Sequence, residues 1–298
     1  MRIVSLVPHA TELLFALGLD DQVVAVTHEC DFPEAVRDRP KITRNALPPG
    51  LSSAEIDAAV RERTARGESI YELDADMLRE LEPDLIVTQA LCAVCAVSVE
   101  DVRTIANEIP SSPRVVSLDP RTYGETLSDV RTIAQATGAR DAALELIART
   151  ARRVDAVRLA VRGAPPPQVA ALEWLDPVFV AGHWTPQLID MAGGHDVLGF
   201  PGEHSEETTW ESVIAAQPDI VVVMPCGLDA SAAHAEALAH ADELRGAGAG
   251  EVVAVDAAAM FSRPGPRLVE GLELLAHVLH PDRFALEPPS GRLVTVEL

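Results

Sequence analysis

Basic residues are scarce in this chain. Against 46 Asp and Glu stand 24 Lys and Arg, a formal net charge of −22, and a surface of that sign repels phosphate backbones and anionic lipid. Nucleic acid and membrane surfaces are therefore not expected as partners, and the charge reads as well as a solvated acidic coat that keeps the protein dissolved. No run of 18 apolar residues occurs, so no membrane insertion is expected. Neither GxxxxGK with a following Ser or Thr nor a GxGxxG after a strand is present, and with them goes the phosphate cradle of a nucleotide site. Ser5, His9 and Glu12 lie close in sequence but lack the strand-to-helix elbow of a hydrolase nucleophile, so the chain is not expected to be an enzyme. An export leader is also missing ahead of the fold, because Arg2-Ile3-Val4-Ser5-Leu6-Val7 already reads as a buried strand. That pattern predicts a cytoplasmic protein whose four cysteines are reduced.

What is present is an alternation of short β-branched runs with helical patterns, the mark of an α/β fold with mainly parallel sheets. Strands are expected at Ile3–Val7, Gln22–Val26, Leu85–Thr88 and Val115–Leu118, then at Val169–Glu173, Val178–Ala181, Ile220–Met224 and Val252–Val255. Between these two sets of four, Leu144, Ile147, Ala151, Val154, Val157 and Val161 recur near every 3.6 residues, predicting one long helix that joins two Rossmann-like lobes. The expected boundaries are an N-terminal lobe at 1–137, the linking helix at 138–164, a C-terminal lobe at 165–285 and a tail at 286–298. The halves look like distant copies, since Leu81-Glu82-Pro83-Asp84-Leu85-Ile86-Val87 parallels Ala216-Gln217-Pro218-Asp219-Ile220-Val221-Val222. Two such lobes are expected to face each other across a ligand cleft lined by the loops after the strands.

Those loops carry the candidate site residues. They are His28 and Cys30 after the second strand, Gln89, Cys92 and Cys95 after the third, and Trp174 after the fifth. His183 and Trp184 follow the sixth, Cys226 the seventh, and Phe261 and Arg263 the eighth. Four thiolates would suit zinc, an iron–sulfur cluster or the metal of a tetrapyrrole. The same cysteines also read as small buried apolar groups, which their Ala, Val and Leu neighbours favour, or as a redox-active dithiol. Trp174, Trp184 and Phe261 offer broad faces to a flat ligand or pack the lobe core. His28 and His183 suit metal ligation, hydrogen bonding or simple solvation. Arg263 suits a ligand carboxylate or phosphate, or an ion pair between lobes.

The opening Val4-Ser5-Leu6-Val7-Pro8-His9-Ala10-Thr11-Glu12-Leu13-Leu14, continuing through Ala16-Leu17-Gly18 to Val23-Val24-Ala25-Val26-Thr27, resembles the start of the vitamin B12 receptor group. That group belongs to the class III, helical-backbone, periplasmic binding protein superfamily of B12, heme and iron-chelate receptors. The resemblance implies non-catalytic binding of cobalamin or a related metal chelate between two lobes, and Pro8, within that opening, joins the ligand-binding set. Members of the group serve ABC transporters, a partner left in doubt here without an export signal. The cysteines within Thr27-His28-Glu29-Cys30-Asp31-Phe32-Pro33, Cys92-Ala93-Val94-Cys95 and Met224-Pro225-Cys226-Gly227 resemble a cytosolic side branch instead. The alternative function is accordingly a cytosolic metal or iron–sulfur protein, including a redox enzyme, built on those four residues.

Overall fold

The computed structural model describes residues 1–90, 97–285 and 289–298. The chain divides into two units, Met1–Pro120 with Leu127–Ile147, and Arg121–Thr126 with Ala148–Leu298.

In the first unit the elements run β1 (Ile3–Ser5), α1 (Pro8–Ala16), β2 (Val23–Val26), β3 (Thr43–Asn45), α2 (Ser53–Ala65), β4 (Tyr71–Leu73), α3 (Ala75–Leu81), β5 (Leu85–Thr88), α4 (Val99–Glu108), β6 (Arg114–Ser117) and, from Leu127, α5 (Tyr123–Thr137), whose first four residues belong to the second unit. Pro8 sits in the first turn of α1, where its missing N–H has no helical partner to lose. Ser52 and Glu55 close a reciprocal capping box at the start of α2, satisfying two otherwise orphaned amides. Among the described residues the main sheet has the order β2-β1-β5-β6 with every neighbouring pair parallel, while β3 and β4 form a separate antiparallel pair. A parallel sheet is covered by helices on both faces. Alternate residues accordingly enter different cores: Ile3 and Val87 pack with Leu14 and Ile133, whereas Val4 and Ile86 pack with Leu78 and Val102.

The helix α6 (Arg140–Ala160) belongs to the first unit up to Ile147 and to the second from Ala148. Its 21 residues span about 32 Å at the usual rise. The buried stripe differs from the expected one, because Leu144 is exposed and Ala143, Leu146 and Thr150 take the inner face of the first turns. Further along, Val154, Val157 and Val161 lie buried as expected.

The second unit continues with β7 (Gln168–Leu175), β8 (Val178–Val180), α7 (Thr185–Met191), β9 (His195–Asp196), β10 (Glu206–Glu207), α8 (Trp210–Ala215), β11 (Ile220–Val223), α9 (Ala230–Ala239), α10 (Ala241–Ala247), β12 (Glu251–Val255), α11 (Ala257–Met260), α12 (Leu268–Leu279) and β13 (Leu293–Thr295). Its sheet has the order β10-β8-β7-β11-β12-β13, with β9 beside the start of β7. The strands β7, β11 and β12 are mutually parallel. The expected strand at Val178–Ala181 forms but runs antiparallel to β7. The two residues Asp176 and Pro177 between them leave room only for a hairpin, since a parallel crossover needs a dozen residues or more. The parallel neighbour on that side of β7 is instead the two-residue β9. The segment at the chain's end adds β13 antiparallel to β12 and buries Val296 in the apolar cluster around Val221, Val223 and Ala254.

The paired proline–aspartate motifs do the same work in each unit. Asp84 Oδ2 accepts the Arg2 N–H at 2.7 Å while the Asp84 N–H donates to Arg2 O at 2.8 Å. Asp219 Oδ2 accepts the Gln168 N–H at 2.8 Å and the Asp219 N–H donates to Gln168 O at 2.8 Å. Each aspartate therefore staples the start of its own strand to the start of the central one. The residues before the prolines, Glu82 and Gln217, both take positive φ values of 39° and 49°, so the turn conformation is repeated along with the sequence.

Candidate functional site

In the first unit the register sets Ser5 beside Val26 and Val87, and Thr88 beside Ser117. Pro8, His28 and Gln89 consequently follow the carboxyl edge of this sheet, where open α/β sheets place ligands. His28 is fixed by a hydroxyl that sequence reading missed. Thr43 Oγ1, on β3, lies 2.7 Å from His28 Nδ1, 3.0 Å from the His28 N–H and 2.7 Å from Thr27 Oγ1. A hydroxyl has one proton and two lone pairs, so three partners saturate it. The His28 ring also leans on Tyr71 at a centroid distance of 5.3 Å, and the Tyr71 hydroxyl donates to Glu29 at 2.6 Å. Burial holds the His28 pKa below its ordinary value, with Glu29 opposing and Lys41 assisting. The imidazole is thus biased toward its neutral form, the form that ligates metals and accepts hydrogen bonds.

The second unit gathers its candidates more tightly. Val223, at the end of β11, lies level with Leu172 of β7, so Glu173 stands at the carboxyl edge and Trp174 extends past it. The hairpin returns along β8 to the same edge at Val180 and delivers Gly182, His183 and Trp184 there. Together with Glu173, Thr185, Met224, Phe261 and Ser262, these residues line a shallow recess with about 10 Å³ of interior space, room for about one water molecule. Its floor is rigid: the Trp184 indole N–H donates to Phe261 O at 2.8 Å, and both side chains are buried.

One wall of the recess comes from the loop before β10. The His183 N–H donates to Glu203 O at 2.6 Å and the Gly202 N–H to His183 O at 2.8 Å. A Cβ on Gly182 would meet the backbone of His204 and Ser205 at 2.5 Å, far inside van der Waals contact, so only glycine permits this approach. His183 itself takes a positive φ of 53°, a conformation uncommon outside glycine but one that histidine adopts more readily than most residues. Its Nε2 lies 3.2 Å from His204 Nδ1, with the rings at 90°. Burial lowers the His183 pKa, helped by His204 and by the positive charge of Arg121. Beneath them the Glu173 carboxylate accepts the Ser205 hydroxyl and the Gly182 N–H. Desolvation nevertheless outweighs those bonds and raises the Glu173 pKa.

Of the other expected residues, Gln89 is buried and Pro8 and Arg263 are partly buried. Trp174 is partly buried, and its indole N–H donates to Asp176 O at 3.1 Å. Of the four cysteines, Cys30 and Cys226 fall among the described residues. Cys30 is 3% exposed, packed in the first unit's core with its sulfur 3.0 Å from Thr11 Oγ1, the behaviour of a small apolar side chain. Cys226 is exposed in the second unit, and Cys92 and Cys95 lie outside the described residues. Among the described residues no three His, Cys, Asp or Glu side chains are placed to hold a metal ion, so the zinc and iron–sulfur expectation lacks structural support. Sequence reading missed Thr43, Tyr71, Glu173, His204 and Ser205. Glu173 was visible as the last residue of an expected strand, whereas His204 and Ser205 had only the preceding Pro201 and Gly202 to mark their loop.

Comparison with known proteins places this geometry. A family model described as "Periplasmic binding protein" matches residues 3–251. The uncharacterized ABC transporter substrate-binding lipoprotein YvrC of Bacillus subtilis is 22% identical over 302 residues, which is 95% of this chain and 81% of that protein. The vitamin B12-binding protein of Vibrio vulnificus is 45% identical over 42 residues, 14% of this chain and 15% of that protein. The crystal structure of the periplasmic heme-binding protein HutB of Vibrio cholerae has the same fold, with a TM-score of 0.71 at 23% identity, covering 94% of this chain and 99% of its own. These relatives overturn the expected cytoplasmic location, since those named for a compartment or anchor are periplasmic proteins or a lipoprotein. They point outside the cytoplasm, and the cytosolic cysteine-bearing branch finds no support among them. With two α/β units built on a repeated strand-start staple, and a family match over residues 3–251, the chain belongs to the periplasmic binding protein family.

Proposed function

We propose that the protein is a non-catalytic receptor for a metal chelate of the corrinoid or tetrapyrrole class, cobalamin foremost, and that it serves an ABC transporter. The observation that carries this reading is the recess at the carboxyl edge of the second sheet, where a fixed indole floor, a neutral-biased imidazole and an enclosed carboxyl meet. Pockets that hold chelates and drug-sized ligands run to about 300–1,000 Å³, so a recess with about 10 Å³ of interior space meets the rim of such a ligand rather than enclosing any part of it. The aromatic and hydroxyl groups suit the apolar flank and amide arms of a corrinoid. Support for the ligand class comes from relatives named for vitamin B12 and heme, and for the transporter from the name of the B. subtilis lipoprotein. Titrating the purified protein with cobalamin, cobinamide and heme, followed by calorimetry and absorption, tests the reading. Saturable binding of at least one is expected, and no change with any of the three overturns it.

A further inference from the structure

We infer that the turn Gly202–Ser205 is a strap clasped to the end of the β7–β8 hairpin by the His183–His204 hydrogen bond. A second proton on that pair opens the clasp, so that one wall of the recess withdraws in acid. The inference concerns the ligand-free chain and does not depend on what the recess receives.

Four bonds fasten the strap. The Gly202 N–H donates to His183 O and the His183 N–H to Glu203 O, main chain to main chain. The Ser205 hydroxyl donates to the Glu173 carboxylate, and an acceptor oxygen remains there whether or not the carboxyl is protonated. Only the contact between His183 Nε2 and His204 Nδ1, at 3.2 Å, has a protonation state in which it cannot exist. With both rings neutral, one facing nitrogen donates and the other accepts. A first added proton makes one ring an imidazolium, which still donates to the bare nitrogen opposite, now with charge assistance. A second leaves a proton on both facing nitrogens. Neither then accepts, the bond is gone, and two like charges stand in its place.

The surroundings favour separation over neutralisation. Burial and the positive charge of Arg121 both act against a proton on His183. Glu173, beneath the pair, has its pKa raised by desolvation, so it gives up its negative charge early in the same descent of pH. Glu203 meets His183 through its carbonyl, and its side chain is exposed. Relief comes from the strap side. His183 sits in a positive-φ turn beside the Trp184 ring, which is itself tied to Phe261. His204 is exposed and gains fuller solvation of its charge by swinging outward. Gly202, with a φ of 82°, is a pivot free of side-chain restriction. The His204–Ser205 backbone that crowds Gly182 leaves with the ring.

Hydrogen exchange followed by mass spectrometry on the full ligand-free chain, corrected for the intrinsic effect of pH on exchange, reads the strap through peptides covering residues 199–207. Between about pH 7.5 and about pH 4.5 the wild type should lose protection there at least about tenfold, while peptides from β11 and β12 keep theirs. His204→Asn keeps an uncharged donor and acceptor toward His183 and should hold its protection within about twofold over that range. His183→Asn, chosen because asparagine tolerates positive φ, has no clasp at any pH and should show the lower protection already at about pH 7.5. Three results overturn the inference: wild-type protection that stays constant in acid, a loss shared equally by β11 and β12, or the same acid loss in His204→Asn. It fails as well if His183→Asn is as protected as the wild type at about pH 7.5, since the clasp would then carry none of the fastening.

Discussion

At the scale of single residues the second unit is a contest between burial and hydrogen bonding, and Glu173 shows which wins. Its carboxylate accepts two hydrogen bonds, yet desolvation raises its pKa above the ordinary 4.5. A carboxyl whose folded-state pKa is raised contributes stability that is fully present below the unfolded pKa and lost as pH rises through the folded value. Glu173→Gln removes the charge while keeping an acceptor, so it should raise the unfolding free energy relative to wild type at pH 7.5. That gain should shrink as pH falls toward 4.5, and urea denaturation at several pH values measures it; a gain independent of pH would show that the carboxyl does not titrate in this window. His28 and His183, with lowered pKa values, add the opposite slope below pH 6.5, where the unfolded chain takes up protons that the folded one resists. Which histidines sat in edge loops was legible from the strand pattern. Their partners were not, because Thr43 and His204 come from segments whose approach depends on a hairpin pairing and on one glycine contact, neither of which leaves a periodic trace.

At the scale of elements, the strand-start staples predict a paired effect. Asp84→Ala and Asp219→Ala each strip a main-chain amide of its carboxylate partner, and because both bonds are exposed and water can replace the carboxylate, each should cost about 0.5–1.5 kcal/mol, the usual net range for a hydrogen bond. Denaturant midpoints of the two single variants check this, and a cost near zero for either would mean that the repeated motif is only a turn sequence. The duplication itself was legible, since both motifs stand in the chain with the same proline–aspartate order. The buried strands were legible as well: Ile220–Val223 is buried at every position, and a continuous β-branched run says as much. The antiparallel direction of β8 was legible in its two-residue turn, which is too short for a parallel crossover. The short strands β9 and β10 were illegible, since two residues carry no alternation to detect.

At the scale of the whole molecule, the excess of acidic groups sets the dependence on salt. A net charge of −22 repels itself more in the compact state than in the open chain. Raising salt from about 10 mM to about 100 mM shortens the screening length from about 30 Å to about 10 Å. The thermal midpoint at pH 7.5 should therefore rise over that range, which differential scanning fluorimetry would follow, and a fall would mean that attractive pairs outweigh the repulsion. The α/β architecture and the family were legible at this scale; the compartment was not, and the relatives named as a lipoprotein or as periplasmic are what correct it. The same excess of charge has a local consequence at the outer edge of the second sheet. That edge is β10, two residues long and made of Glu206 and Glu207, both exposed. A short, doubly anionic rim offers an incoming strand almost no ladder to extend and repels an identical rim on another molecule. The sheet is thereby guarded against edge-to-edge growth into aggregates.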